Sequence, residues 1–325
     1  MRVNKLIFSA ALALSATFVM ASSAVAQAQE YPNRPVRLIV PFSAGGNTDA
    51  LARIIGPKVG EILGQTIVVE NRPSVSGVIG ADVVAKAKPD GYTLLIHDTT
   101  FAVAPTLQAQ IPWKIEDFVP IAHVAGAPTT LIVNASLPAN NVKEVIALAK
   151  AKPGELTYSA GSIGGTAHLA GVLFEEVAGV KMNFIPYDGA GRALNDLLGG
   201  HLDITYSAIN AVKGHLEAGK LKAIASSGAE RLPGAPNVPT FKEQGIDVVV
   251  SANWGVYAPA GTPPDVIAKL NDAFVRAVKT PDVGKELESR GYVVLGTTPE
   301  QHAKTLREEV DRWGALIRRA GIKPQ

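Results

Sequence analysis

The sequence predicts an α/β protein of about two domains, each a mainly parallel sheet flanked by helices, and three observations carry that expectation. At 325 residues the chain has room for roughly two domains of ~150 residues. Short β-branched runs alternate with segments of helical apolar spacing, the element order of a parallel sheet covered by helices. The joints between strands and helices are repeatedly polar and glycine-rich, as they are where strands end at the ligand-facing edge of an open α/β sheet.

Arg2 and Lys5 precede an apolar run from Leu6 to Met20 and small residues ending in Ala24-Val25-Ala26 or Ala26-Gln27-Ala28. This is the pattern of a secretory leader over residues 1–26, with cleavage two residues later as the alternative. The run is shorter than the ~20 apolar residues that span a bilayer. Losing Arg2 and Lys5 removes the formal charge of +2, so the mature chain is expected to be neutral, exported and soluble. Val36 to Val40, entered through Pro35 and closed by Pro41, reads as a buried strand. Ser43 to Asp49 forms a turn before a helix with Leu51, Ile54, Ile55, Val59, Ile62 and Leu63 on its apolar face. Pro57 is expected to kink or divide that helix, because it removes an amide donor. Thr66 to Val69 and Tyr92 to Ile96 are strands, separated by a helix through Ala81 to Ala87 and a Pro89-Asp90-Gly91 turn.

The scheme repeats through strands at Leu131 to Val133, Thr157 to Ser159, Met182 to Ile185, Ile204 to Tyr206, Ala223 to Ala225 and Val248 to Val250. Helices are expected over Val142 to Lys150 and through Leu169, Leu173, Phe174 and Val177. Near the C-terminus, Thr262-Pro263-Pro264-Asp265 and Thr298-Pro299-Glu300-Gln301 each open a helix with a Thr cap, Pro at the first position and an acid or amide at the third.

Composition excludes several functions. With no cysteine there is no disulfide scaffold, thiol enzyme or lipid-modified Cys at the mature N-terminus. A balance of 31 Lys+Arg against 29 Asp+Glu offers no basic stripe for phosphates, so no nucleic acid is expected as a partner. The six His residues form no His-x-x-x-His pair, so no metal is expected. There is no P-loop, and Gly189-Ala190-Gly191 lacks the third glycine of a dinucleotide turn, with Leu194 in its place; no cofactor is expected. Ala160-Gly161-Ser162-Ile163-Gly164 misses the first glycine of a nucleophile elbow. A secreted serine hydrolase using Ser162 and His168 remains an alternative.

Five polar loops of one character stand out: Gly45 to Asp49, Asp98 to Phe101, Ser159 to His168, Tyr187 to Arg192, and Ser207 to Asn210. Glycines allow close backbone approach, and free amides at a helix start attract an anion. Thr48, Ser162 and Thr166 add hydroxyls. Arg192 at a helix start either faces solvent or pairs with a ligand carboxylate. Phe42, Phe101 and Trp254 either wall a ligand or join the core, His168 reads as a contact rather than a general base, and Asp49 as a first-turn acid matching the helix dipole.

Combinations of short motifs then resemble a known family. Pro35-Val36-Arg37-Leu38-Ile39-Val40-Pro41-Phe42 with Gly45-Gly46-Asn47-Thr48-Asp49, Val69-Glu70-Asn71-Arg72-Pro73, Pro89-Asp90-Gly91-Tyr92, Asp196-Leu197-Leu198-Gly199-Gly200, Ala258-Pro259-Ala260-Gly261-Thr262-Pro263 and Arg312-Trp313-Gly314 are similar to the substrate-binding proteins of tripartite tricarboxylate transporters, the Bug family. The resemblance covers essentially the whole mature chain in order. It implies a type 2 periplasmic-binding-protein fold, two Rossmann-like domains with a hinge and a ligand cleft between them. Crossings are expected near Gly126 to Thr129 and Ser251 to Gly255, with residues 31–126 plus 254–325 as one domain and 127–253 as the other. Mapped by motif, it implies a small organic carboxylate (dicarboxylate, tricarboxylate or aromatic) held by Ala44, Gly45 and Thr48 on one side and Ser162, Gly165, Thr166, Gly189, Ala190 and Gly191 on the other. Phe42, Thr99, Thr100, Phe101, His168, Arg192 and Ser207 complete the expected site. The implied protein is a monomeric, non-enzymatic periplasmic receptor that delivers its ligand to the transporter's membrane subunits, a sensor presenting ligand to a membrane kinase being the alternative. Two departures from the family pattern are Ser43-Ala44, where Pro-Pro is frequent, and Ser74-Val75-Ser76 in place of Gly-Ala-Gly. The first bears on pocket shape and the second on loop geometry.

Overall fold

Strands and helices alternate along the chain, as the apolar periodicity requires. In order they are β1 (Val36–Val40), α1 (Asn47–Leu63), β2 (Ile67–Asn71), α2 (Val78–Ala85), β3 (Thr93–His97), α3 (Thr100–Leu107), β4 (Phe118–Pro128), β5 (Thr130–Asn134), α4 (Val142–Ala151), β6 (Thr157–Ala160), α5 (Thr166–Ala178), β7 (Asn183–Pro186), α6 (Ala190–Leu198), β8 (Ile204–Ser207), α7 (Ile209–Glu217), β9 (Leu221–Ser226), β10 (Ser251–Pro259), α8 (Pro264–Lys279), α9 (Pro281–Ser289), β11 (Val293–Val294) and α10 (Pro299–Arg319). The structure is a computed structural model that describes residues 31–160, 163–187 and 190–324. The expected leader, Gly161, Ser162 and Gly189 lie outside the described residues. All of these elements belong to one unit that begins at Arg34.

Two sheets result, one ordered β11-β4-β10-β3-β1-β2 and the other β7-β6-β8-β5-β9. β1 pairs in parallel with β2 and β3, and β6 with β7 and β8. The remaining pairs, β10 with β3 and β4, β11 with β4, and β5 with β8 and β9, are antiparallel. The sheets are therefore mixed rather than mainly parallel. The reason lies in the passages between them. β4 leaves the first sheet at Pro128 and β5 begins at Thr130 in the second, while β10 starts the return at Ser251, opposite Pro128. Two neighbouring strands running out and back must pair antiparallel. Ser227, fully buried, ties this crossing: its Oγ accepts from the Thr129 amide at 3.0 Å and lies 2.5 Å from Val250 O, and its amide donates to Thr129 O at 2.8 Å.

Two local expectations need correction, and of the kink or division expected at Pro57 the division does not occur. α1 runs through Pro57 without dividing. Pro57 sits on the exposed face, so the carbonyl it leaves unpaired meets water while Ala52, Ile55, Gly56 and Val59 keep the buried face intact. Val248 to Val250 is no strand, although Val248 and Val250 are buried; they fill the core beside the second sheet. Thr262 does not cap α8: its hydroxyl donates to Pro259 O at 2.8 Å, and Pro263 holds the cap position. Thr298 does form the expected capping box with Gln301 at the start of α10.

One core cluster, around Phe101, Trp113, Phe118 and Tyr257, lies against the first sheet. Another, around Tyr158, Phe174, Tyr206 and Phe241, lies against the second. Helix α10 serves both: Leu306 packs in the former, Trp313, Leu316 and Ile317 in the latter. Among the described residues no helix is long and apolar enough to cross a membrane.

Candidate ligand cleft

Parallel pairing decides where the polar loops gather. Because β1 and β3 are parallel neighbours, the loops after them, 41–46 and 98–99, leave the same edge of the first sheet. β6, β7 and β8 likewise put the loops leading to α5, α6 and α7 along one edge of the second. Each loop delivers the start of a helix, whose first amides lack intrahelical acceptors.

In the first loop, Ser43, Ala44, Gly45, Gly46 and Asn47 are exposed and Phe42 is half-buried, edge-on to the His97 ring at 5.2 Å. Gly45 turns the chain with φ +83°, a conformation that disfavours residues with a Cβ. Its amide is spent internally, donating to Asp49 Oδ2 at 2.9 Å. Burial pushes the Asp49 carboxyl up, but donors from Arg53, Gly45 and Asn71 outweigh it and hold the group at about 2. Thr48 is buried, and its hydroxyl accepts the Trp254 indole N–H at 2.9 Å. Tyr292 OH donates to Asn47 O at 3.0 Å.

In the loop after β3, Asp98 Oδ1 accepts both the amide of Thr100 at 3.0 Å and its hydroxyl at 2.5 Å. Thr99 Oγ1 accepts the Asn253 amide at 2.8 Å and donates to Ser251 O at 3.3 Å, so it anchors the loop to the crossing strand β10. Phe101 is fully buried among Trp113, Phe118 and Tyr257, with centroids 4.6 to 5.2 Å away. The structure thus turns Phe101 into the core and leaves Thr99 and Thr100 holding the loop.

On the second sheet, Gly164 has φ +75° and its amide donates to His168 Nδ1 at 3.0 Å. His168 is buried, lies 4.1 Å from the Phe184 ring, and is held down to about 4 by desolvation. It is a neutral contact that shapes its own loop. Gly165 caps α5 and Thr166 opens it, both half-buried. Tyr187 OH donates to Asp196 Oδ2 at 2.7 Å, and Ala190 begins α6 with Gly191 and Arg192 exposed in its first turn. Ser207 is half-buried at the end of β8.

The two lobes touch on both flanks. A Cβ at Gly164 would come within 1.9 Å of Leu107 Cδ1 on α3, so this loop rests directly on the first lobe. Asn210 at the start of α7 donates to Arg290 O, at the end of α9. A groove of about 870 Å³ opens beside this contact, walled by Ile209, Leu216, Leu232, Pro236, Tyr292 and Val293. Sequence reasoning named Asp98 only as part of a loop and Asn71 only as part of a motif, and missed Arg53 and Asn253; all four hold the loops. An acid four residues after Gly45 with Arg53 four residues further on was the only local signal. Among the described residues no three His, Asp or Glu side chains are grouped to hold a metal.

Two α/β lobes joined by paired crossing strands, each with glycine-rich helix-start loops gathered along one sheet edge, have the architecture of a solute-binding protein. The chain belongs to the family described as tripartite tricarboxylate transporter family receptor, whose model matches residues 51–322. It is 37% identical over 305 residues to protein BugT of Bordetella pertussis, covering 93% of this chain and 94% of that one. Among solved structures it is similar to the periplasmic binding protein BugD, at 34% identity and TM-score 0.74, covering 91% of this chain and 100% of the other. It is also similar to R. palustris Rpa4515 with adipate, at 33% identity, TM-score 0.77 and coverage of 91% and 100%. Rhodopseudomonas palustris MatC with bound malate matches at 31% identity and TM-score 0.73, over 88% of this chain and 100% of that one.

Proposed function

We propose that this chain is a periplasmic receptor that captures a small organic carboxylate between its lobes and delivers it to the membrane subunits of a tripartite tricarboxylate transporter. What supports this reading is that helix-start amides and glycine-rich turns gather along one edge of each sheet, in a chain whose relatives were solved with adipate and malate. The lobes in this reading are residues 31–126 plus 254–325 and residues 127–253, and the leader 1–26 is removed on export. The mature receptor is a monomer and catalyses nothing.

Ligand capture on this reading is a shift toward the closed arrangement, driven by contacts that only that arrangement makes from both lobes. In this reading Ala44, Thr48, Gly165, Thr166, Ala190, Gly191 and Arg192 meet the anion, together with Ser162 and Gly189, which lie outside the described residues. The test is thermal unfolding of the mature chain with malate, succinate, adipate, citrate and benzoate, using the corresponding neutral amides as controls. At a hundredfold excess over Kd, a carboxylate ligand adds about 2.7 kcal/mol to stability, which is several degrees in melting temperature. No shift with any carboxylate, or equal shifts with the amides, removes this reading.

A further inference from the structure

Beneath the first loop lies an arrangement that anion capture by itself does not call for: a buried negative charge. Asp49 is 3% exposed. Its carboxylate accepts the Gly45 amide at 2.9 Å, Asn71 Nδ2 at 2.9 Å and Arg53 Nε at 3.0 Å to both oxygens. Asn71 Nδ2 also donates to Phe42 O at 3.1 Å, and Arg53 Nη2 donates to Asn71 Oδ1 at 3.1 Å. Each of the three side chains therefore bonds the other two, and together they grip the loop at Phe42 and at Gly45. A carboxylate has acceptor sites for all these donors and a carboxamide does not, which accounts for an acid here. Its charge is nonetheless repulsive to an anion bound over the same loop. Arg53, whose side chain is 53% exposed, supplies the opposite charge.

We propose that Asp49, Arg53 and Asn71 are positioning residues that preset the first loop for an anion, and that Arg53 sets the specificity for anions by cancelling the charge of Asp49. This rests on the carboxylate-receptor reading. It also takes the Gly45 amide out of the set that can contact ligand.

The test is calorimetric titration of wild type, Arg53→Met, Arg53→Lys and the double variant Asp49→Asn/Arg53→Met with malate and adipate, at about 0.01 M and 0.15 M salt, where charges are screened beyond ~30 Å and ~8 Å respectively. Arg53→Met exposes the uncancelled acid and is expected to weaken binding about tenfold at low salt, with a smaller loss at high salt. Arg53→Lys restores the charge and most of the affinity. Asp49→Asn/Arg53→Met removes both charges but leaves one acceptor oxygen for the loop, so its affinity is expected to fall without gaining the extra salt dependence of Arg53→Met. Unfolding midpoints check that each variant is folded; Arg53 lies at the surface and tolerates replacement. If wild type binds and Arg53→Met binds equally well at both salts, or if the Arg53→Met loss is the same at both salts, the proposal is overturned. If wild type binds neither probe, nor succinate, citrate or benzoate, the receptor reading fails and this proposal falls with it.

Discussion

Glu309 on α10 offers a quantitative check on the region behind the crossing strands. Its Oε1 accepts Asn253 Nδ2, a side chain on β10. Burial pushes the carboxyl up from 4.5 to about 7, against the smaller opposing effects of the Asn253 hydrogen bond and the Arg312 charge. A carboxyl raised on folding favours the protonated protein. Its contribution to stability is whole below the unfolded value of 4.5, declines as pH rises toward about 7, and is flat above that. Weighting the two proton populations gives about 2 to 3 kcal/mol lost between pH 5 and pH 8, an upper figure because the residue keeps some contact with water. Glu309→Gln keeps the acceptor for Asn253 and cannot ionise. Urea unfolding of both proteins at pH 5, 6.5 and 8 is therefore expected to show the variant gaining about 2 to 3 kcal/mol on wild type across the range. His123 and His302, held down by burial to about 4 and about 3, lose stability only as pH falls below 6.5, and that effect is common to both proteins. A difference constant to within about 0.5 kcal/mol would mean that Glu309 ionises as an ordinary solvated acid, and the burial argument would be wrong.

Other consequences follow from single contacts. Gly77 has φ +71°, and a Cβ there would lie 2.3 Å from His97 Nε2; Gly77→Ala is expected to cost about 3 kcal/mol from backbone strain and overpacking, read as a lowered unfolding midpoint. Ser227→Ala deprives the buried Thr129 amide of its hydroxyl partner and should cost about 1 to 3 kcal/mol in urea unfolding. Trp254 donates to Thr48 beside the first loop, so its fluorescence should report carboxylate saturation; a signal undiminished in Trp254→Phe would place the reporter elsewhere.

Most of the element order was legible because apolar runs bounded by Pro and Gly, such as Val36 to Val40, are buried on both faces and need no distant information. β4 and β10 were not. Pro120, Ala122, Gly126 and Ala127 have little strand preference, and that segment is extended because β10 pairs along its length. Val248 to Val250 shows the reverse, a strand-like run that joins no sheet and packs Val248 and Val250 into the core. Ser76 takes a left-handed backbone, φ 51°, which glycine adopts without strain, and Gln108 donates to its hydroxyl at 3.1 Å. At the site, the polar loops were legible as a set, since glycine and hydroxyl residues before a helix have local causes. The use of each side chain was not. Thr99 answers to Asn253, 154 residues away, and Asp49 to Asn71, 22 residues away, while Phe101 turns inward because three aromatic rings from α3's neighbours surround it.

Above all, the proposed function requires a carboxylate between the lobes, against the helix starts of both. A crystal structure of the mature chain grown with a carboxylate that stabilises it decides the matter. Carboxylate oxygens are expected at the start of α1, between Ala44 and Thr48, with the rest of the molecule reaching the first turns of α5 and α6. A ligand seated instead in the groove between α7 and α9, or bound to one lobe alone, would be incompatible with capture by closure.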